Sequence, residues 1–179
     1  QLDNAQELRF TDPRRFGRFW LFRDGEPDTR SGMHRLGPEP FEKELTAAWL
    51  SDRLSRRRRA VKSCLLDQEI IAGIGNIYAD EILFASKIRP DRAAATLTPD
   101  DWERLAAAIP AVLQRALEAN GITPQAYLSG KGQEYRNAPA FQVYGHAGQP
   151  CPLCGEALCS VAVAGRGSVF CPGCQKSVS

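Results

Sequence analysis

The chain has 179 residues, 43% hydrophobic and 25% charged, which places it among ordinary globular proteins and excludes the disordered, collagenous and coiled-coil classes. Its longest apolar run, Leu105 to Leu113, is broken by Pro110 and falls well short of the ~18 residues a membrane-crossing helix needs, so no membrane partner is expected. The net charge is only +2, and Gln1 to Phe10 has neither the basic start nor the apolar run of an export signal.

Glu7 to Asp12 and Phe16 to Phe22 read as two strands joined at Pro13-Arg14-Arg15. The second strand carries large apolar groups on both alternating faces, and two strands cannot bury both. A partner sheet is therefore expected, most simply in a domain before Gln1, which is not an initiator methionine. Asp24 to Pro40, rich in Gly, Pro, Asp and Ser, reads as a linker. Helical patterns follow at Glu42 to Leu54, Arg57 to Ala72, Ile77 to Lys87 and Asp100 to Asn120. The last is expected to be capped by Thr98, entered through Pro99, favoured by Asp100 and Asp101 at the positive end of its dipole, kinked or split at Pro110, and stopped by Gly121.

Arg56, Arg57, Arg58, Arg59 and Lys62 place five positive charges in seven residues. Such a run is either a solvated helix start or a contact for nucleic acid or another acidic surface. Further on, Ala72-Gly73-Ile74-Gly75-Asn76 requires one helix to end near Gly73 and the next to start near Asn76, its expected cap. Free N–H groups at that start can bind a phosphate, although most such turns only connect helices.

Four of the six cysteines form two C-x-x-C pairs, Cys151/Cys154 and Cys171/Cys174, sixteen residues apart. The spacing matches a two-knuckle zinc ribbon rather than disulfides or redox cysteines. Four thiolates close a tetrahedral shell, so one structural Zn2+ is expected, supplying much of the ribbon's folding free energy. Cys64 fits a buried core thiol and Cys159 a hairpin residue. Neither His34 nor His146 belongs to a catalytic constellation.

In order along the chain stand Leu8-Arg9-Phe10-Thr11-Asp12-Pro13-Arg14-Arg15-Phe16-Gly17, Leu36-Gly37-Pro38-Glu39-Pro40, Leu65-Leu66-Asp67-Gln68 leading into Gly73-Ile74-Gly75-Asn76-Ile77-Tyr78-Ala79-Asp80-Glu81, Val143-Tyr144-Gly145, and the CPLCG and CPGCQ knuckles. Together they resemble the C-terminal two-thirds of a bacterial formamidopyrimidine-DNA glycosylase. The resemblance implies an α+β fold: the remnant of a β-sandwich plus linker over 1–40, a helix–two-turn–helix domain over 41–140, and a zinc-ribbon β-hairpin over 141–179. It implies a bifunctional glycosylase/AP lyase of base-excision repair acting on oxidised purines (8-oxoguanine, formamidopyrimidines). In that chemistry an N-terminal proline attacks the sugar C1′ and β- then δ-elimination follow. That proline, its adjacent glutamate and a lysine lie before this chain's first residue in the family pattern, so the chain alone is expected to be inactive.

By the same resemblance, Arg14 and Phe16 fill the hole left by the flipped base, Arg57 contacts DNA, and Asn76 binds a phosphate of the strand. Arg166, in Gly165-Arg166-Gly167-Ser168 at the expected hairpin tip, holds the lesion's phosphates and is the family's proton donor in δ-elimination; of the two, the phosphate clamp suits a permanently charged guanidinium better. The bland alternatives are a core aromatic for Phe16 and a solvated hairpin residue for Arg166. Gly130 to Ala140 takes the place of the family's damaged-base loop but is about two residues longer, and His146 stands where a basic residue follows the expected Val143-Tyr144-Gly145 strand. The partner implied is double-stranded DNA with an oxidised base or abasic site, bound by a monomer in the bacterial cytoplasm at the nucleoid. Two other readings remain open: a stand-alone, non-catalytic, zinc-dependent DNA-binding module, and an endonuclease VIII-type enzyme for oxidised pyrimidines.

Overall fold

A computed structural model describes residues 3–13, 15–120 and 141–176. They fall into two compact units, residues 1–35 and 36–179. In the first, the strands expected over 7–12 and 16–22 are not formed among the described residues, and one 3-10 turn, Met33–Arg35, is its sole regular element. The turn between them does form: the Arg15 N–H donates to the Asp12 carbonyl, Gly17 N–H donates to the Asp12 carboxylate, and Phe10 meets Phe19 edge-on at 4.6 Å. A ladder is missing for a physical reason. Leu8, Phe16 and Leu21 are 73%, 79% and 90% exposed, so neither face has an apolar surface to press the two segments flat against.

The second unit begins with the helices α1 (Ala47–Leu54), α2 (Val61–Leu65), α3 (Asn76–Ala85) and α4 (Pro99–Asn120). α1 starts five residues later than expected, because extended Thr46 caps it by accepting the Trp49 N–H at 3.2 Å. α2 is much shorter than the expected Arg57 to Ala72. Residues 57–60 run alongside residues 92–95 instead, where the carbonyls of Arg57 and Arg59 accept from Ala95 and Ala94 and Val61 donates to Arg92. Thr98 caps α4 as expected. Its hydroxyl accepts the Asp101 N–H, and the Asp101 carboxylate returns two bonds to Thr98. Helix α4 continues through Pro110 without splitting. The expected stop at Gly121 and the loop over 130–140 lie outside the described residues.

Buried Leu50 and Leu54 of α1, Val61 and Leu65 of α2, Ile82 and Leu83 of α3, and Trp102, Leu105 and Ile109 of α4 make one apolar core. A second, smaller core joins Phe84 of α3 to Val143, Cys151, Leu158 and Cys171. It sits beneath the hairpin of β1 (Cys159–Val163) and β2 (Arg166–Phe170), antiparallel with Cys159 opposite Phe170 and Val163 opposite Arg166. Ala164 and Gly165 turn the hairpin with φ of 49° and 74°, the two positive values a tight primed turn requires. Val143-Tyr144-Gly145, expected as a strand, is a bend and turn. The Glu81 carboxylate holds it, accepting the N–H groups of Gln142, Val143 and Tyr144 at 2.9 Å each. One carboxylate thus takes three donors that a sheet would have paired elsewhere.

Candidate zinc centre and nucleic-acid interface

Each C-x-x-C pair forms a knuckle, with the Leu153 N–H directed at Cys151 Sγ and the Cys174 N–H at Cys171 Sγ, both at 3.4 Å. All four sulfurs lie within 4.8 Å of one another, with Cys151 to Cys174 at 3.9 Å and Cys154 to Cys171 at 3.4 Å. A tetrahedral ion with ~2.3 Å metal–sulfur bonds needs sulfurs about 3.8 Å apart, so the set fits zinc with modest adjustment. Burial pushes Cys151 up, but the N–H groups of Leu153 and Cys154 and the adjacent thiols outweigh it and bring it down to about 7. Burial and the other three thiols push Cys174 up to about 12. Four such groups ionise together only around a cation, and the closed donor set makes this a site for one structural zinc. Behind it, buried Gln175 accepts the Cys171 N–H at 2.9 Å and donates to the Ile88 carbonyl at 2.8 Å, tying the knuckle to the segment that follows α3.

Between α2 and α3 the chain makes two turns stapled by one side chain. Gln68 donates to the carbonyls of Leu66 and Ile74 and accepts the Gly73 N–H. Gly73 has φ of +84°, as the tight path required. Leu36-Gly37-Pro38 docks on these turns: Gly37 donates to Gln68, Ala72 donates to Pro38, and a β-carbon on Gly37 would fall 2.1 Å from the Ile70 oxygen. Gly75 rather than Asn76 occupies the cap position of α3, with no side-chain cap. A helix start without a side-chain cap is the kind of place that takes an anion. Asn76 is the first helical residue, and its Nδ2 donates across to the Gly167 carbonyl at 3.3 Å.

That bond brings Asn76 to the start of β2, where Arg166 is exposed and its guanidinium has no hydrogen bond or ion pair among the described residues. Arg57 is exposed in the stretch before α2, where its backbone bonds to Leu54 and Ala95. Arg59, from the same basic run, is committed to Asp67. Phe16 belongs to the first unit, where it is 79% exposed. Arg14 lies outside the described residues.

Lys62 is the main residue the sequence hides. It is fully buried, 2.7 Å from the Asp80 carboxylate, and donates to Ser168 Oγ at 2.7 Å and the Gly167 carbonyl at 3.0 Å. Burial lowers its affinity for a proton, opposed by Asp80 and reinforced by the positive charge of Arg166. Asp80 also accepts the Val169 N–H at 3.1 Å. In sequence Lys62 is just the last charge of a basic run, and only its apolar neighbours Val61, Cys64 and Leu65 hint that it points inward.

Residues 36–127 match the formamidopyrimidine-DNA glycosylase H2TH domain, and residues 148–176 match the zinc finger found in FPG and IleRS. A formamidopyrimidine-DNA glycosylase of Symbiobacterium thermophilum is 47% identical over 174 residues, covering 97% of this chain and 57% of that protein. One from Desulfitobacterium hafniense is 46% identical over 172 residues, covering 96% and 63%. The chain thus spans 57% to 63% of the length of these curated relatives. The MutM (Fpg) protein of Thermus thermophilus aligns with a TM-score of 0.75 at 38% identity, covering 92% of this chain and 62% of that one. Lactococcus lactis Fpg, in a complex with DNA containing an abasic site, aligns at 0.68 and 34% identity, covering 80% and 52%. No helix among the described residues is long and apolar enough to cross a membrane. With both the two-turn helical motif and the four-cysteine ribbon matched, the chain belongs to the formamidopyrimidine-DNA glycosylase family.

Proposed function

We propose that this chain is the DNA-gripping part of a base-excision-repair glycosylase/AP lyase for oxidised purines, acting as a monomer at the nucleoid on duplex DNA with an oxidised base or abasic site. One observation carries the reading: the Asn76 amide at the uncapped start of α3 reaches the Gly167 carbonyl, next in sequence to exposed Arg166, on the surface of the second unit. A helix start with its dipole behind it and a forked cation beside it suit a single phosphate better than any neutral ligand. Arg57 extends the grip along the strand. Arg14 and Phe16 enter the stack where the damaged base leaves it, with an aromatic wedge offsetting part of an unstacking cost of a few kcal/mol. These residues bind DNA, and the covalent attack on the sugar belongs to the family's N-terminal proline.

The test uses the 179-residue chain on duplexes with 8-oxoguanine or an abasic site, measuring binding, strand cleavage and borohydride trapping together. Zinc-dependent binding without cleavage or trapping is expected. A trapped adduct would place a nucleophile within this chain and overturn the division of labour. Arg166→Ala and Arg57→Ala should each weaken binding on every sequence and lower the salt dependence by about one counterion; an unchanged slope removes that residue from the phosphate contacts.

A further inference from the structure

Two donors converge on one acceptor at the turn end of the hairpin. The Gly167 carbonyl receives Lys62 Nζ at 3.0 Å and Asn76 Nδ2 at 3.3 Å. A carbonyl has two lone pairs and can serve both, but the bonds are unequal. The lysine bond is shorter and charge-assisted, whereas the amide bond sits at the long end of the useful range. Asn76 is otherwise weakly held, because its Oδ1 is enclosed and without a hydrogen-bond partner. Lys62 is anchored independently by Asp80 and Ser168, each at 2.7 Å. With Asp80 also accepting from Val169, the buried pair grips three consecutive residues of β2, namely Gly167, Ser168 and Val169.

We infer that Asn76 is a releasable phosphate ligand, parked on the Gly167 carbonyl in the free protein, and that Lys62 is the positioning residue that keeps this carbonyl paired when the Asn76 amide turns to a DNA phosphate. This role rests on Asn76 being a phosphate contact. Without Lys62, releasing Asn76 would leave the Gly167 oxygen without a protein donor just where bound DNA excludes water, and an unpaired covered carbonyl weakens binding by about tenfold. With Lys62 in place, the exchange costs only a long, neutral hydrogen bond. Arg166, one residue earlier, keeps its place through the ladder, where it pairs with Val163, and so depends on neither Asn76 nor Lys62.

The experiment is a double-mutant cycle on the zinc-loaded, 179-residue chain, read as the dissociation constant for a fluorescent duplex carrying a tetrahydrofuran abasic-site analogue. Lys62→Met is combined with Asp80→Asn so that no lone carboxylate is left buried. In the presence of Asn76 this pair should weaken binding about tenfold; in the Asn76→Ala background, under about twofold. Zinc content should stay at one per chain in all four proteins. Equal weakening in both backgrounds, or none in either, would overturn the inference and leave Lys62 a structural residue. If Asn76→Ala by itself leaves affinity unchanged, its phosphate contact fails first, a distinct result. Should the paired variant fail to fold, the side-chain amide resonances of Asn76 in the unmutated chain decide the matter: they should shift on DNA addition while the Lys62 ammonium protons stay protected, and an unmoved Asn76 amide refutes the exchange.

Discussion

Removing zinc should unfold the ribbon and leave the helices standing. Among the described residues, Phe84, Val143 and Leu158 cluster with the ligands Cys151 and Cys171 beneath the hairpin, and Val163 and Phe170 are buried on its strands. At about 1.5–3 kcal/mol each these five side chains provide about 8–15 kcal/mol, comparable with the roughly 10–16 kcal/mol a structural zinc contributes to a small finger. Without the metal, about half of what opposes the entropy of ordering these residues is gone. The core of α1 to α4 is a separate cluster and does not need the ion. We expect a chelator strong enough to strip the site to abolish hydrogen-exchange protection over Cys159–Val163 and Arg166–Phe170, to retain most of the helical circular dichroism, and to replace one thermal transition by a lower, helix-only one. Ribbon amides that remain protected in the metal-free chain would refute this dependence on zinc, and collapse of the helical signal would refute the independence of the two cores.

Gln175→Ala should leave the Cys171 N–H and the Ile88 carbonyl unpaired and weaken zinc about 10- to 100-fold in a chromogenic competition assay; an unchanged affinity would make the glutamine mere filler. Gly37→Ala should cost about 1–3 kcal/mol in urea unfolding, because its new methyl would meet the Ile70 backbone, which cannot swing away as a side chain could; an unmoved midpoint would show that the linker can lift off the turns. For Asp101, burial pushes the carboxyl up, but the hydrogen bonds from Thr98 and the Arg92 guanidinium at 2.8 Å outweigh it and hold it below its ordinary 3.8. A folded-state value below the unfolded one means stability that is present above the ordinary carboxyl range and lost as pH falls through the folded value. Asp101→Asn should therefore cost about 1–2 kcal/mol at neutral pH, a difference that closes in acid; a pH-independent difference would assign the effect to shape rather than charge.

What was legible in the sequence is what local chemistry dictates. Two C-x-x-C pairs must each close a knuckle whatever surrounds them, and Thr98-Pro99-Asp100-Asp101 carries its own capping instructions, so both were found where expected. Where partners lie far along the chain, local pattern misled. Arg57 to Arg59 look helical alone, but Ala95 and Ala94 claim the carbonyls of Arg57 and Arg59. Val143-Tyr144-Gly145 has strand composition, yet Glu81, 62 residues before Val143, collects its donors. The segments before Pro13 and after Arg15 have strand composition, but composition orders a ladder only when a second layer covers it, and the expected strands are not formed. Asp80 and Glu81 show the limit most plainly: they are sequence neighbours of like chemistry, and one receives a buried lysine while the other gathers a bend.

Phe84 makes the folding unit larger than the zinc-finger pattern. The zinc-finger pattern covers residues 148–176, yet the cluster under its hairpin is completed by Val143 and by this one phenylalanine from α3, 1% exposed. A ribbon excised at its sequence boundaries would carry all four ligands and an uncovered floor. Any scaffold chosen to host it as a transplant must therefore offer a bulky ring from its own surface at that spot, and a search for workable recipients can begin with that geometric requirement before any ligand is considered.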